Sequence, residues 1–334
     1  MITLKRLSSV AVVVPLVATG LLNNTVQASV HATAATEITQ ATLDRTLLRQ
    51  VLAPIRSRID DLSANNPEKI SSLELGSQSG LAAGDNLEEA SGWVSFTSSN
   101  ISDDTLGFDY DGDTKGYSVG FDTQIDTNLL AGVSLSYSTT NINSDFNNGK
   151  SEGDTYTLAP YFAYTIDDTF SIDGAMGYSW SRTDLERNNG AVTGSQDGTS
   201  YFYNLNAKAS HWYDNVNLSG RFGYLLLNGD QNGFTESDST VVASSDNQLG
   251  QLQLNATVAY YTENVMPYFS VTYENDITST EVAGVTNDDT GFVYKVGASF
   301  YNSGAVSGGI SYSTVTGRDN IDNDTFSANI AMKF

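Results

Sequence analysis

The chain has 334 residues, with 16 Lys and Arg against 39 Asp and Glu, a formal net charge of -23 and no cysteine. That balance argues against nucleic-acid binding, because phosphate recognition needs a basic surface. The lack of thiols excludes a disulfide scaffold and a cysteine-based metal site. The length fits two ordinary domains or one large all-β domain.

The N-terminus reads as an export signal. Lys5 and Arg6 precede the apolar stretch Val10–Leu22, and small residues suited to cleavage after Ala28 or Ala32 follow. The apolar stretch is too short for a spanning helix, which disfavours a membrane anchor. Residues 1–28 are therefore read as a signal peptide.

Residues 29–66 form a helical segment. Within Thr39–Leu62, Leu48, Leu52, Ile55, Ile59 and Leu62 recur at intervals of three and four, an apolar helical stripe. Arg45, Arg49 and Arg56 form a second, basic stripe. Pro54 interrupts the pattern and permits two helices or one kinked helix. The linker 67–90, with "GSQSGLAAGDN", is Gly- and Ser-rich.

From residue 91 to 334 the texture has period two. "KGYSVGFDTQI" sets Tyr117, Val119 and Phe121 against Ser118, Gly120 and Asp122, and "LLAGVSLSYSTT" sets Val133, Leu135 and Tyr137 against serines. The pattern predicts about twelve strands of roughly ten residues, the length with which a tilted strand crosses a bilayer. Short connections such as 126–128, 167–169, 214–215, 262–264 and 302–304 alternate with longer Asp-, Asn-, Gly- and Ser-rich loops such as "NSDFNNGKSEGD". Aromatics collect at both strand ends. Tyr164, Phe170, Trp212, Tyr213, Tyr260, Tyr268 and Phe300 lie by the short turns, and Tyr137, Tyr156, Trp180, Tyr201, Tyr273 and Tyr312 by the long loops. Such girdles mark two membrane interfaces. The fold class is all-β, an antiparallel transmembrane barrel with a short N-terminal helical segment. A soluble sandwich would carry Lys and Glu on its polar face, whereas Ser, Thr, Asn and Gly dominate here. Pro160, in mid-strand on the lipid-facing set, predicts a bulge.

Strand parity turns Asp122, Asp173, Lys208, Arg221, Glu274 and Lys295 inward, since a charge in hydrocarbon is costly. They either line a pore and contact a plug, or pair with one another to stabilise the barrel. Other motifs carry little chemistry. "GYSVG" (116–120) matches a hydrolase nucleophile pattern, but Ser118 lies inside an alternating strand rather than a strand-to-helix turn. His31 falls at the cleavage region and His211 beside aromatic Trp212 and Tyr213, which suits an interfacial side chain and offers no metal cluster. "DYDGDT" (109–114) begins like a calcium loop but has Thr114 where a glycine is required. It reads as a solvated acidic loop, as do "SDNQ" and "RDNIDND". No cofactor and no enzymatic activity are expected.

The stretches "GWVSF", "DYDGDTKGYSVGFDTQIDTNLLAGVSLSYSTTNINSD" and "YTLAPYFAYTIDDTFSIDGAMGYSWSRTDLER" resemble the translocator β-domain of autotransporters (type V secretion) over Gly92–Phe334. The resemblance implies a twelve-stranded outer-membrane barrel, embedded among lipid and lipopolysaccharide and inserted by the barrel-assembly machinery of a Gram-negative bacterium. It also implies that the last strand is the assembly signal, here Phe326, Ile330, Met332 and the terminal Phe334. A helix running through the pore is expected from the same source. Between residues 29 and 90 no β-helix repeat or catalytic passenger is seen, so a pore- or translocator-like role without a passenger is expected. The alternative is a surface adhesin or antigen that meets a host or cell-surface partner through its acidic loops. Asn65–Asn66 is similar to the Asn–Asn cleavage pair of some family members, but Pro67 follows directly, which fits a helix-ending turn. The lumen position of the helix is supported by its arginines facing Asp122, Asp173 and Glu274. It is opposed by the apolar stripe, which suits another helix or a membrane surface.

Overall fold

The structure, a computed structural model, describes residues 42–60, 90–105, 109–262, 264–280, 288–302 and 306–334. The signal peptide, His31, Leu62, Asn65–Asn66 with Pro67, and linker residues 67–89 lie outside those residues.

One helix, α1 (42–60), runs through Pro54 without a break. The strands are β1 (Ala90–Asp103), β2 (Tyr110–Asp126), β3 (Leu129–Ser144), β4 (Gly149–Thr165), β5 (Phe170–Arg187), β6 (Val192–Tyr213) and β7 (Val216–Gln231). A small hairpin follows, β8 (Phe234–Thr235) with β9 (Val241–Val242). The chain then continues through β10 (Ser245–Tyr260), β11 (Val265–Ser279), β12 (Thr290–Asn302), β13 (Val306–Thr316) and β14 (Ile321–Lys333). Twelve of these strands close a barrel in the order β1-β14-β13-β12-β11-β10-β7-β6-β5-β4-β3-β2. Closure comes from β14 against β1, in register from Ser91 with Lys333 to Asp103 with Ile321. The terminal Phe334 N–H adds a bond to the Ala90 carbonyl at 3.0 Å. In lipid an open edge would leave these groups unsatisfied, so the last strand must find the first.

The barrel strands run from 11 residues in β13 to 22 in β6, longer than expected. Polar stretches such as "VTGSQDGTS" continue the ladder beyond the bilayer, where water solvates both faces. The "NSDFNNGKSEGD" loop shrinks to a turn at 145–148. Several tight turns use left-handed residues, including Asn148, Asn188, Asn189 and Asp214. Asn and Asp tolerate this conformation because their short side chains bond locally.

Outside, an apolar belt includes Val94, Val119, Leu135, Leu158, Met176, Leu205, Phe222, Leu254, Val296 and Ile310. Of the expected girdle, Trp212 and Tyr268 belong elsewhere. Tyr268 pairs with inward Gly297 and lines an interior cavity. Trp212 lies on the inward parity of β6 and meets Tyr261 edge-on at 6.4 Å. Their aromatic character alone could not tell a wet rim from a lumen wall. His211 points outward, with its ring 4.6 Å from that of Tyr213.

The bulge expected at Pro160 is absent. Pairing of β4 with β5 skips from Leu158–Tyr178 to Tyr161–Ala175 and resumes in the same register. The missing proline N–H therefore removes ladder contacts locally without inserting a residue. Register shifts fall instead at Gln124/Asp126 and at Gly250/Gln251.

Candidate functional site: the helix-filled lumen

The lumen holds α1. Near its start, Arg45 bonds Asp276 at 2.7 Å, and Thr46 accepts from Asn323 at 2.7 Å. Both partners lie by the connections 280–289 and 317–320. Near its end, Arg58 grips Asp122 with two bonds of 2.9 and 3.0 Å. Asp60 accepts from Lys208 and from Arg221, each at 2.7 Å. These residues lie toward the short turns 127–128 and 214–215. The helix therefore enters at the long-loop end and descends toward the short-turn end.

Between those ends, Arg49 meets Glu274 at 2.6 Å. Gln50 donates to Thr114 at 2.5 Å and to Ser99 at 3.3 Å. Arg56 donates to the amide oxygens of Gln253 at 2.7 Å and Asn204 at 3.2 Å. The partners come from β1, β2, β6, β7, β10, β11 and β14, so the helix is held from several sides of the barrel.

Each predicted inward charge can now be placed. Asp122, Asp173 and Glu274 are buried; Asp122 meets Arg58, Asp173 takes Asn206 at 2.7 Å and Arg221 at 3.5 Å, and Glu274 meets Arg49. Lys208 and Arg221 converge on Asp60. Lys295 faces a cavity and, among the described residues, makes no hydrogen bond or ion pair. Of the three arginines expected to meet Asp122, Asp173 and Glu274, only Arg49 does so. Asp122 goes to Arg58, which is not on the predicted basic stripe, because helix rotation turns Arg58 toward β2.

Three segments read as solvated acidic loops lie at strand ends or in the adjoining turn, and residues in them touch the helix or its partners. In "DYDGDT", Thr114 is fully buried under Gln50. In "SDNQ", Asn247 donates to Asp44. In "RDNIDND", Arg318, on the turn before β14, reaches back to Asp276 with bonds of 2.9 and 3.2 Å, and Asn323 donates to Thr46. Period-two parity continued into these segments was the available signal. Their acidic composition hid it.

The apolar stripe has a receiving surface. Leu48, Val51, Leu52, Ile55 and Ile59 form one buried cluster with wall residues that include Trp93, Tyr161, Phe202, Leu225, Leu227 and Leu249. Burying five aliphatic side chains is worth on the order of 10 kcal/mol as an upper estimate. The objection that an oily stripe does not suit a polar lumen is met by this local apolar patch. Its sequence signal was broken alternation: "YFY" puts Phe202 inward between outward Tyr201 and Tyr203, and "LLL" puts Leu225 and Leu227 inward around Leu226.

Small residues make the remaining room. Trp93 lies across Gly120, where an added Cβ would stand 2.3 Å from the indole ring. Tyr161 lies across Gly132 in the same way, at 2.4 Å. Trp93 Nε1 donates to Tyr161 at 2.8 Å, and Tyr161 donates to Asp122 at 2.9 Å. Asp122 is thus oriented by the wall before the helix supplies Arg58. Ser118, the centre of the G-x-S-x-G match, shares a 2.8 Å hydrogen bond with Ser136 on this wall. The flanking glycines serve close approach, Gly120 beneath Trp93 and Gly116 beside Gln50.

A closed twelve-stranded antiparallel barrel with an apolar exterior, a polar wall and a helix in its bore defines an outer-membrane β-barrel. A family model described as the autotransporter β-domain matches residues 92–313, and the chain belongs to that family. Membership places the protein in the outer membrane of a Gram-negative bacterium. No curated protein matches the sequence. Among solved structures it is similar to the translocator domain of autotransporter NalP from Neisseria meningitidis. That match has 14% identity and a TM-score of 0.66, and covers 84% of this chain and 97% of that one. The β domain of the Bordetella autotransporter BrkA is similar at 14% identity, with TM-score 0.63 over 74% of this chain and 100% of that one. The transport unit of the autotransporter AIDA-I from Escherichia coli follows at 11%, with TM-score 0.59 over 80% and 98%. At these identities the likeness concerns the fold.

Proposed function

We propose that this translocator barrel is a pore held shut by α1, acting as a plugged, translocator-like membrane protein. The observation that carries the reading is the set of buried contacts from the helix to several sides of the wall. Arg45–Asp276, Arg49–Glu274, Arg58–Asp122 and the Lys208–Asp60–Arg221 triad fix depth and rotation. The apolar cluster supplies most of the adhesion, and the polar contacts specify one seating. A buried pair adds little net stability, but breaking one is costly, which makes the seated state all-or-none.

Residue 42 lies at the long-loop end, which this reading turns toward the cell surface, and the signal peptide is removed on export. At the other end, Phe326, Ile330, Met332 and Phe334 all point outward and are exposed. That row suits recognition by the barrel-assembly machinery before the strand closes on β1. Lipid and lipopolysaccharide surround the belt, and the outer loops are the surface offered to a cell-surface partner.

The test is planar-bilayer conductance of the barrel from Ala90 onward against the chain carrying the helix. The truncated form should conduct more. Equal conductance from two correctly folded samples would remove the plug.

A further inference from the structure

We propose that one row of the wall, Phe202–Leu227–Leu249, is the seal that keeps small hydrated ions from passing beside the seated helix. The inference rests on the plug reading and deepens it: the helix fills the bore, and this row makes the filled bore tight.

The register of the ladder carries the argument. Phe202 pairs with Leu227 and Leu227 with Leu249, so the three side chains form one inward row across β6, β7 and β10. The next inward row toward the long loops is Ser200–Gly229–Asn247, which lines a cavity of about 50 Å³. Two rows toward the short turns lies Asn206–Gly223–Gln253, which lines a second cavity of about 160 Å³. The row between, Asn204–Leu225–Gln251, is half polar. One water needs only about 10–15 Å³ by a comparable measure, and hydroxyls and amides line both spaces, so both admit water. The same three strands thus carry a wet chamber above, a wet chamber below and a single wholly apolar row between them.

The helix matches this layout. It gives Leu43 and Leu47 to the upper cavity and Pro54 and Ser57 to the lower one. Leu48, Val51 and Leu52, between them in the chain, belong to the same buried cluster as the apolar row. In the strand order β1 stands across the barrel from β7, and on that side Gln50 bonds Thr114 and Ser99 directly. The cavities mark the flank on which the helix stands off from the wall. Phe202 closes the row toward β5, because its ring lies across Gly177, where an added Cβ would stand 2.2 Å away. A water or ion inside such a row finds no hydrogen-bond partner, so an apolar constriction stops conduction by staying dry. Successive inward rows are about 7 Å apart, so the dry barrier is one side chain thick and one polar substitution breaches it.

The test is the steady current through the full mature chain in planar bilayers bathed in potassium chloride, with the barrel from Ala90 onward setting the size of a fully open step. Leu227→Ser should carry a steady current about tenfold above wild type, the factor that one restored hydrogen bond at the barrier is worth. That current should stay well below the full step, because the helix remains seated. Leu227→Met, apolar and of similar volume, should be as tight as wild type. Arg58→Ala, which loosens the helix, should give full-size steps instead. Unboiled gel migration verifies folding, and Phe202→Ser carries the same test should Leu227→Ser not fold. The seal is overturned, with the plug left standing, if wild type is quiet and the folded serine variant is equally quiet or opens only in full steps. It is also overturned if Leu227→Met leaks as much as Leu227→Ser. A wild-type chain that conducts like the truncated barrel would refute the plug and the seal together.

Discussion

Replacing Arg58 by alanine isolates one contact that holds the helix. The Arg58 and Asp122 side chains are 8% and 1% exposed, and two bonds of 2.9 and 3.0 Å join them. After the substitution Asp122 keeps only the 2.9 Å bond from Tyr161. Removing one partner of a buried pair typically costs about 3–5 kcal/mol, and the remaining tyrosine bond argues for the lower end. This cost falls on the seated state alone, because an unseated helix exposes Asp122 to water. At about 1.4 kcal/mol per decade, roughly 3 kcal/mol raises the unseated population about a hundredfold. In planar bilayers the variant should show a larger open fraction than wild type, with the same conductance per opening as the truncated barrel. Asp122→Ala should behave similarly, since it strands Arg58 instead. The double variant should cost less than the two single losses added together, because no buried charge is left unpaired. If Arg58→Ala folds normally but its open fraction equals that of wild type, the seating argument fails. It also fails if the double variant costs the full sum.

Deleting Phe334 removes the exposed terminal aromatic and the bond to Ala90, and should sharply reduce folded protein in outer-membrane fractions. Unchanged amounts of heat-modifiable protein would contradict the assembly role. Gly120→Ala should lower stability by about 1–3 kcal/mol through overpacking against Trp93, whereas Gly220→Ala, whose added carbon meets only the Asn255 carbonyl at 3.7 Å, should be near neutral. Equal thermal midpoints for these two variants would show that the wall gives way beneath the indole.

Strand periodicity is a local property with a period of two residues, so the sequence alone determined which side chains face inward over most of the barrel. It placed Asp122, Asp173 and Glu274 inside, and it put Phe334 at the end of a strand that must close on another. It gave the helix and its apolar stripe for the same reason, through a short period along one segment. Where both faces are polar, as at the ends of β2, β6 and β10, alternation loses its contrast, and the strands were read too short. Tertiary structure alone decided how the helix is turned and how deep it sits. That depends on contacts between residues far apart in the chain, such as Arg45 with Asp276 and Arg58 with Asp122. A helix with arginines at 45, 49, 56 and 58 offers several rotations of similar electrostatic merit. The apolar patch of Phe202, Leu225, Leu227 and Leu249 selects among them, because Leu48 to Ile59 can bury only against it. Once that face is fixed, Arg58 takes Asp122, Arg56 is left with neutral amides, and Lys295 is left facing the cavity. No local pattern carries that assignment, since it follows from packing a rigid helix into a closed wall.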